Sequence, residues 1–182
     1  MVFLGIDPGT RNTGVAAIEA VRGSRPIFLY EETLRTPRAL TEWDAIWHMT
    51  DMVYQSIRSP VGQVAIEDFS YQGHEITREA HDTYLLVGAL GELRKLAPVV
   101  LLKAGQWKAD LTGLRAYSDR MVEKAIRLRL AGGIMGPDEW WSSEHAIDAT
   151  GIAIVAADRF FMAGAALVRQ CELRSNSRRA RR

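Results

Sequence analysis

Val2-Phe3-Leu4-Gly5-Ile6-Asp7-Pro8-Gly9-Thr10 is an apolar run that closes on a carboxylate and passes at once into a Pro-Gly turn. An ionised Asp at the end of a strand that would otherwise lie inside a sheet needs a compensating charge, from a metal ion or a cationic partner. Asp7 is therefore the first candidate for chemistry. Two further segments carry acid into apolar surroundings, Val64-Ala65-Ile66-Glu67 and Glu144-His145-Ala146-Ile147-Asp148-Ala149. Three such acids, far apart in sequence, point to one assembled site.

Outward from that run, the first third alternates apolar stretches with turn residues. Val2 to Asp7, Val15 to Val21 and Ile27 to Thr33 predict a three-stranded antiparallel meander, punctuated by the turn from Pro8 to Gly14 and by Arg22-Gly23-Ser24-Arg25-Pro26. Trp43, Ile46, Trp47, Val53 and Ile57 recur at helical spacing, with Thr41 as N-cap and Ser59-Pro60 as stop. Val64 to Glu67 is a short buried strand, Glu79 to Ala97 a second helix, Val99 to Lys103 another strand and Ser118 to Leu130 a third helix. The stretch Gly132 to Pro137 breaks the chain before a last helix from Ser143 to Phe161. Hairpins followed by alternating strands and helices predict an α/β fold, a mixed sheet of the meander plus two further strands with helices on both faces.

The 182 residues, 47% of them hydrophobic, suit one domain with a single core, expected over residues 1–172. No apolar run is long enough to span a membrane and Met1 leads straight into a strand, so the reading is a soluble, cytoplasmic protein without a membrane partner. The lone Cys171 excludes an internal disulfide and a zinc site built on several cysteines. The net charge of +1 conceals an asymmetry, because Arg174, Arg178, Arg179, Arg181 and Arg182 crowd the end and leave the rest net acidic. Residues 173–182 read as a disordered basic arm, either a solubilising tail or a contact for nucleic-acid phosphates.

Taken together, Gly5-Ile6-Asp7-Pro8-Gly9-Thr10 with Thr13-Gly14, then Ile66-Glu67, then His145-Ala146-Ile147-Asp148-Ala149 resemble, in order, the three signatures of the RuvC-type Holliday junction resolvases, in the ribonuclease H-like nuclease superfamily. Pro98-Val99-Val100, Leu111-Thr112-Gly113 and Met121-Val122 are weaker matches between them, and the likeness spans residues 2 to about 161. The resemblance implies a ribonuclease H-like sheet and a structure-selective endonuclease. It would resolve four-way DNA junctions by paired hydrolysis, leaving 5′-phosphate and 3′-hydroxyl ends. It also implies Asp7, Glu67 and Asp148 as catalytic metal ligands and a homodimer built on the Glu79 to Ala97 helix.

Elementary electrostatics agrees. Carboxylates about 4 Å apart repel by about 4 kcal/mol per pair at an effective dielectric of about 20, so such a cluster does not exist for stability. Hard oxygen ligands match Mg²⁺, with Mn²⁺ as substitute, and two ions about 3.5–4 Å apart can bind the attacking and leaving oxygens of a phosphodiester. His145 precedes Asp148 by three residues and shares its helix face, so it is either a further metal ligand or a proton shuttle. Asp68 alternates to the opposite face from Glu67, and Glu144 reads as an ordinary first-turn helix acid.

For DNA contact, Phe69 and Tyr71 follow Glu67 and are interchangeable candidates for stacking on an unpaired base at a branch, against ordinary packing under a loop. The resembled family carries a Lys after its Thr-Gly turn, where this chain has Leu114-Arg115-Ala116-Tyr117-Ser118-Asp119-Arg120. Phosphate contact is therefore assigned among Lys103, Lys108, Arg115 and Arg120. Gly88 and Gly91 within the second helix predict the close approach of another backbone, from the same chain or from a second copy. Competing readings are a ribonuclease H-like RNA-processing nuclease, a non-catalytic branch-binding module, and an actin-like or sugar-kinase phosphate turn at Asp7-Pro8-Gly9-Thr10. The last needs two such domains, for which the chain has no room.

Overall fold

The computed structural model describes residues 1–68, 77–130 and 143–179, with side chains up to residue 165 apart from 78 and 79. The meander forms as expected from β1 (Val2–Asp7), β2 (Asn12–Glu19) and β3 (Ile27–Arg35). It is joined by β4 (Gln63–Asp68) and β5 (Val99–Lys103) in the order β3-β2-β1-β4-β5. The β1–β2 and β2–β3 pairs are antiparallel, whereas β1–β4 and β4–β5 are parallel, so the sheet is mixed. Parallel pairing puts the carboxyl ends of β1, β4 and β5 at one edge, where Asp7, Glu67 and Lys103 emerge.

Strand alternation sorts the core into two layers. Leu4, Ile6, Val15, Ala17, Val64 and Ile66 face one way, packed against α1 (Glu42–Ser56) and α2 (Arg78–Leu90). Phe3, Ile18, Ala65 and Leu102 face the other way, against α3 (Ala104–Thr112), α4 (Asp119–Arg129) and α5 (Glu144–Arg179). Helices thus cover both faces, as the sequence predicts. Thr41 caps α1 by accepting from the Asp44 N–H at 3.2 Å.

Several boundaries depart from the sequence reading, and one helix is additional. β2 starts at Asn12 rather than Val15 and β3 runs on to Arg35, because the hairpin pairs Asn12 with Arg35 beyond the apolar run. The second helix tightens into a 3₁₀ turn over Gly91–Lys95 instead of continuing to Ala97. α3 is an additional helix. Only Trp107 and Leu111 of its nine residues are buried and its N-terminus lacks a capping side chain, so its amphipathic signal is short and weak. α5 continues to Arg179, past the expected end at Phe161 and into the segment assigned to a basic arm. The break over residues 132–137 lies outside the described residues.

Gly88 and Gly91 have nothing within 4 Å of a Cβ built on them, so the predicted close approach is not made among the described residues. It occurs instead at Gly5 and Gly14, beneath α5. A Cβ on Gly5 would overlap the Ala149 carbonyl oxygen and lie 2.7 Å from the Ala153 nitrogen, and one on Gly14 would overlap the His145 carbonyl. These two glycines let the helix backbone rest on the sheet.

Candidate active site

Asp7 lies on the same face of β1 as Phe3 and Gly5, which is the α5 face. Glu67 follows Ala65 onto that face of β4, and the pairing of Ile6 with Ile66 sets the two acids side by side. α5, seated on Gly5 and Gly14, supplies the third. Its start is held by Ser143, whose hydroxyl accepts from the Ala146 N–H at 3.2 Å. Asp7, Glu67 and Asp148 each offer one carboxylate oxygen, and these oxygens all lie within 4.8 Å of one another. Behind Asp7, the buried Thr13 fixes the Pro-Gly turn. Its hydroxyl donates to the Gly9 carbonyl at 2.8 Å and accepts from the Gly9 N–H at 3.2 Å.

Two basic side chains meet the cluster. His145 Nδ1 lies 2.6 Å from Asp7 Oδ2, and Lys108 Nζ donates to Asp148 Oδ2 at 2.7 Å. The Lys108 side chain is only 16% exposed, so it points into the site. It is held there by its neighbour Trp107, which is fully buried and packs on Gly151 of α5, where a Cβ would come within 2.6 Å of the indole.

The protonation behaviour follows from this packing. Burial, then the charge of Asp7 and a hydrogen bond with it, and finally Asp148, push Glu67 up to about 8, with Lys108 opposing. Asp148 is raised by burial, against the hydrogen bond and charge of Lys108. His145 is raised by its hydrogen bond to Asp7, although burial works the other way. Lys108 is disfavoured by burial, but its hydrogen bond to Asp148 and the surrounding carboxylates outweigh that and raise it. Glu67 and Asp148 thus hold their protons more tightly than free carboxyls do, as expected of acids crowded into one buried cluster. Three converging carboxylates are the hard-oxygen donor set suited to Mg²⁺ or Mn²⁺.

No protein-family model matches the chain, and no curated protein does. Solved structures do. RuvC of T. thermophilus in complex with a Holliday junction substrate superposes with a TM-score of 0.73 at 23% identity, over 90% of this chain and 96% of that one. The fowlpox virus resolvase, in complex with Holliday junction DNA, gives 0.56 at 9% identity over 86% and 99%. The yeast mitochondrial Holliday junction resolvase Ydc2 gives 0.54 at 14% identity over 87% and 82%. The chain has the ribonuclease H-like fold of RuvC.

On this RuvC-like frame the predicted site residues fall into three groups. Asp7, Glu67, His145 and Asp148 come together, as the sequence reading expects. Lys108, assigned from sequence to the DNA path, sits inside the carboxylate cluster. Its inward position has a simple cause: Trp107 anchors α3 against α5, which carries the adjacent Lys108 to the carboxylates. Lys103, Arg115 and Arg120 are exposed, the last beside Asp119, whose charge reaches both Lys108 and Asp148. Phe69 and Tyr71 lie outside the described residues. The signal that could have found α3 is the Trp107/Leu111 pair at i,i+4, followed by Gly113 as a left-handed C-cap with φ 71°.

Among the described residues, no helix is long and apolar enough to cross a membrane.

Proposed function

We propose that the chain is a divalent-metal-dependent endonuclease that cleaves branched DNA, four-way junctions above all, by phosphodiester hydrolysis leaving 5′-phosphate and 3′-hydroxyl ends. The observation that carries this reading is the convergence of Asp7, Glu67 and Asp148 within 4.8 Å on a RuvC-like fold. Those three residues would hold the cations. Bound there, two Mg²⁺ ions, or Mn²⁺ in their place, supply Lewis-acid activation of a water and neutralisation of the departing oxygen.

The remaining work belongs to side chains. His145 is oriented by the contact of its Nδ1 with Asp7, which leaves Nε2 to exchange a proton with the attacking or leaving oxygen. Lys108 stays charged despite its burial and presents that charge to a non-bridging oxygen of the scissile phosphate. Phosphate contacts on either side come from Lys103, Arg115 and Arg120, with the arginines from Arg174 onward adding to them, and Phe69 or Tyr71 stacks at the branch.

A four-way junction presents two symmetry-related strands, so a two-fold homodimer matches it with one active site per strand. The open Gly88 and Gly91, and the exposed Trp43, Trp47 and Tyr84 of α1 and α2, support that assembly. The deciding experiment incubates the protein and Mg²⁺ with labelled four-way junction, replication fork, linear duplex and RNA-DNA hybrid. Preferred paired incision of the junction is expected. Preference for the hybrid would assign the chain to RNA processing, and binding without cleavage of any substrate would make it a branch-binding module.

A further inference from the structure

The open groove of about 670 Å³ beside the turn after Asp7 is lined by Arg11, Asn12, Arg35, Thr36 and Arg38, three arginines and no acid among them. It is built rather than incidental. The Thr36 N–H donates to the Arg11 carbonyl at 3.1 Å, and its hydroxyl donates to the Thr10 carbonyl at 2.8 Å. Arg11 donates to the Pro37 carbonyl at 3.0 Å and the Leu40 carbonyl at 3.4 Å, tying the loop after β3 to the turn after β1 while keeping its charge. Arg35 and Arg38 are exposed and meet no carboxylate among the described residues. Three convergent like charges cost stability, and an anion relieves that cost.

Register fixes where this groove stands. Asp7 pairs with Gly14, and Asn12 pairs with Arg35 two residues further toward the same end of the sheet. At about 3.4 Å per residue the groove begins about 7 Å beyond Asp7, or about two nucleotide steps of a DNA strand. It lies on the β3 side, whereas Lys103 lies at the β5 edge. The sequence reading places no contact there.

We infer that Arg11, Arg35 and Arg38 form a phosphate-binding track for the DNA backbone flanking the cleaved bond, on the side of the site away from β5. The inference rests on the proposed DNA substrate and extends it by a defined path. The acid cluster repels a polyanion, and a fixed cationic groove next to it holds the strand in place without carrying sequence information.

The test compares the parent, Arg35→Gln/Arg38→Gln, and a charge-matched control, Arg22→Gln/Arg25→Gln, in the turn at the opposite end of the sheet. Arg11 is kept because its bonds shape the loop, and thermal midpoints check that each variant is folded. Junction affinity is measured in EDTA from about 50 to about 200 mM salt. Loss of two phosphate contacts should flatten the slope of log affinity against log salt by about 1.8, so the parent loses about 12-fold more affinity than the variant over this range. The control should run parallel to the parent. Equal flattening in both variants would reduce the effect to net charge and overturn the track, as would parallel slopes in all three. Tripolyphosphate titrated into the same proteins gives the remaining arm: its binding lost in Arg35→Gln/Arg38→Gln, with DNA slopes unchanged, would assign the groove to a small polyphosphate instead. If parental cleavage of junctions persists alongside parallel slopes, only the track fails; if the parent neither binds nor cleaves DNA, the substrate reading fails with it.

Discussion

The two faces of the sheet are built to different tolerances. Against α1 and α2 the strands present Leu4, Ile6, Val15 and Ile66, and the helices answer with Met49, Val53, Leu86 and Leu90, an ordinary layer of interdigitated large side chains. Against α5 the strands present Gly5 and Gly14, and the helix answers with its own backbone at Ala149 and His145. Only the second arrangement lets an aspartate on a helix reach aspartate and glutamate on strands, because a carboxylate side chain spans a few ångströms and a normal helix-on-sheet spacing is about 10 Å. One face stabilises and the other positions.

The largest expected effects fall on the positioned face. Asp7→Asn, Glu67→Gln and Asp148→Asn should each lower Mg²⁺-dependent junction cleavage by more than about 100-fold, since loss of even an outer-shell partner costs about 10- to 100-fold. Junction binding should persist, because affinity comes from backbone contacts. Near-parental cleavage by any one of them would remove that residue from the catalytic set. His145→Ala should be slowed less than these.

The comparison itself is tested by one pair of substitutions. Gly5→Ala forces α5 off the sheet, with an expected cost of about 1–3 kcal/mol in stability. It should also cost about 100-fold in turnover, as for a catalytic group misplaced by about 1 Å. Met49→Ala on the other face should cost more stability, about 2–5 kcal/mol, and leave turnover per folded molecule unchanged. Denaturant melts and single-turnover cleavage on both variants read this out, and a loss of turnover that merely tracks stability in both would erase the distinction.

A third expectation concerns pH. The Glu67 carboxyl is raised from 4.5 to about 8 in the folded chain, so between these values the folded protein keeps a proton that the unfolded chain has released. Stability of the metal-free protein is therefore full below about pH 4.5 for this group and falls as pH rises toward 8. The raised Asp148 and His145 act in the same direction. Thermal midpoints in EDTA should decline across about pH 5 to pH 8, by about 2–4 °C per kcal/mol. Mg²⁺ should reverse the decline, and Glu67→Gln should flatten it. A flat parental profile in EDTA would contradict the packing of the acids described above.

The smallest effect expected is on the supporting face. Gly88→Glu places a charge on α2 where none of the described residues would meet it, so the monomer should keep its thermal midpoint to within about 0.5 kcal/mol of equivalent stability. If α2 lies at a dimer contact, sedimentation should show the variant shifted to monomer. A parent that sediments as a monomer even with bound junction would reject the dimer.

Much of this architecture was legible in the residues. Apolar runs ending in Asp7 and Glu67 located two strands and their acids, alternation placed Glu67 and not Asp68 toward the site, and the three-residue step from His145 to Asp148 put both on one helix face. What resisted reading was α3, whose two buried residues give too short a period to stand out, and with it the inward position of Lys108. Gly88 and Gly91 misled for a related reason: a glycine in a sequence announces that a backbone can approach, while Gly5 and Gly14 are where one does.

By itself, the sequence determined the order of the strands and of every helix but α3, the acids and their faces, since strand and helix periodicities are local properties of the chain. Tertiary structure alone decided which glycines bear α5, that Trp107 carries Lys108 into the carboxylates, and that Arg11, Arg35 and Arg38 converge. Each of these depends on the register between segments distant in sequence, and register is set by packing rather than by any one segment's pattern.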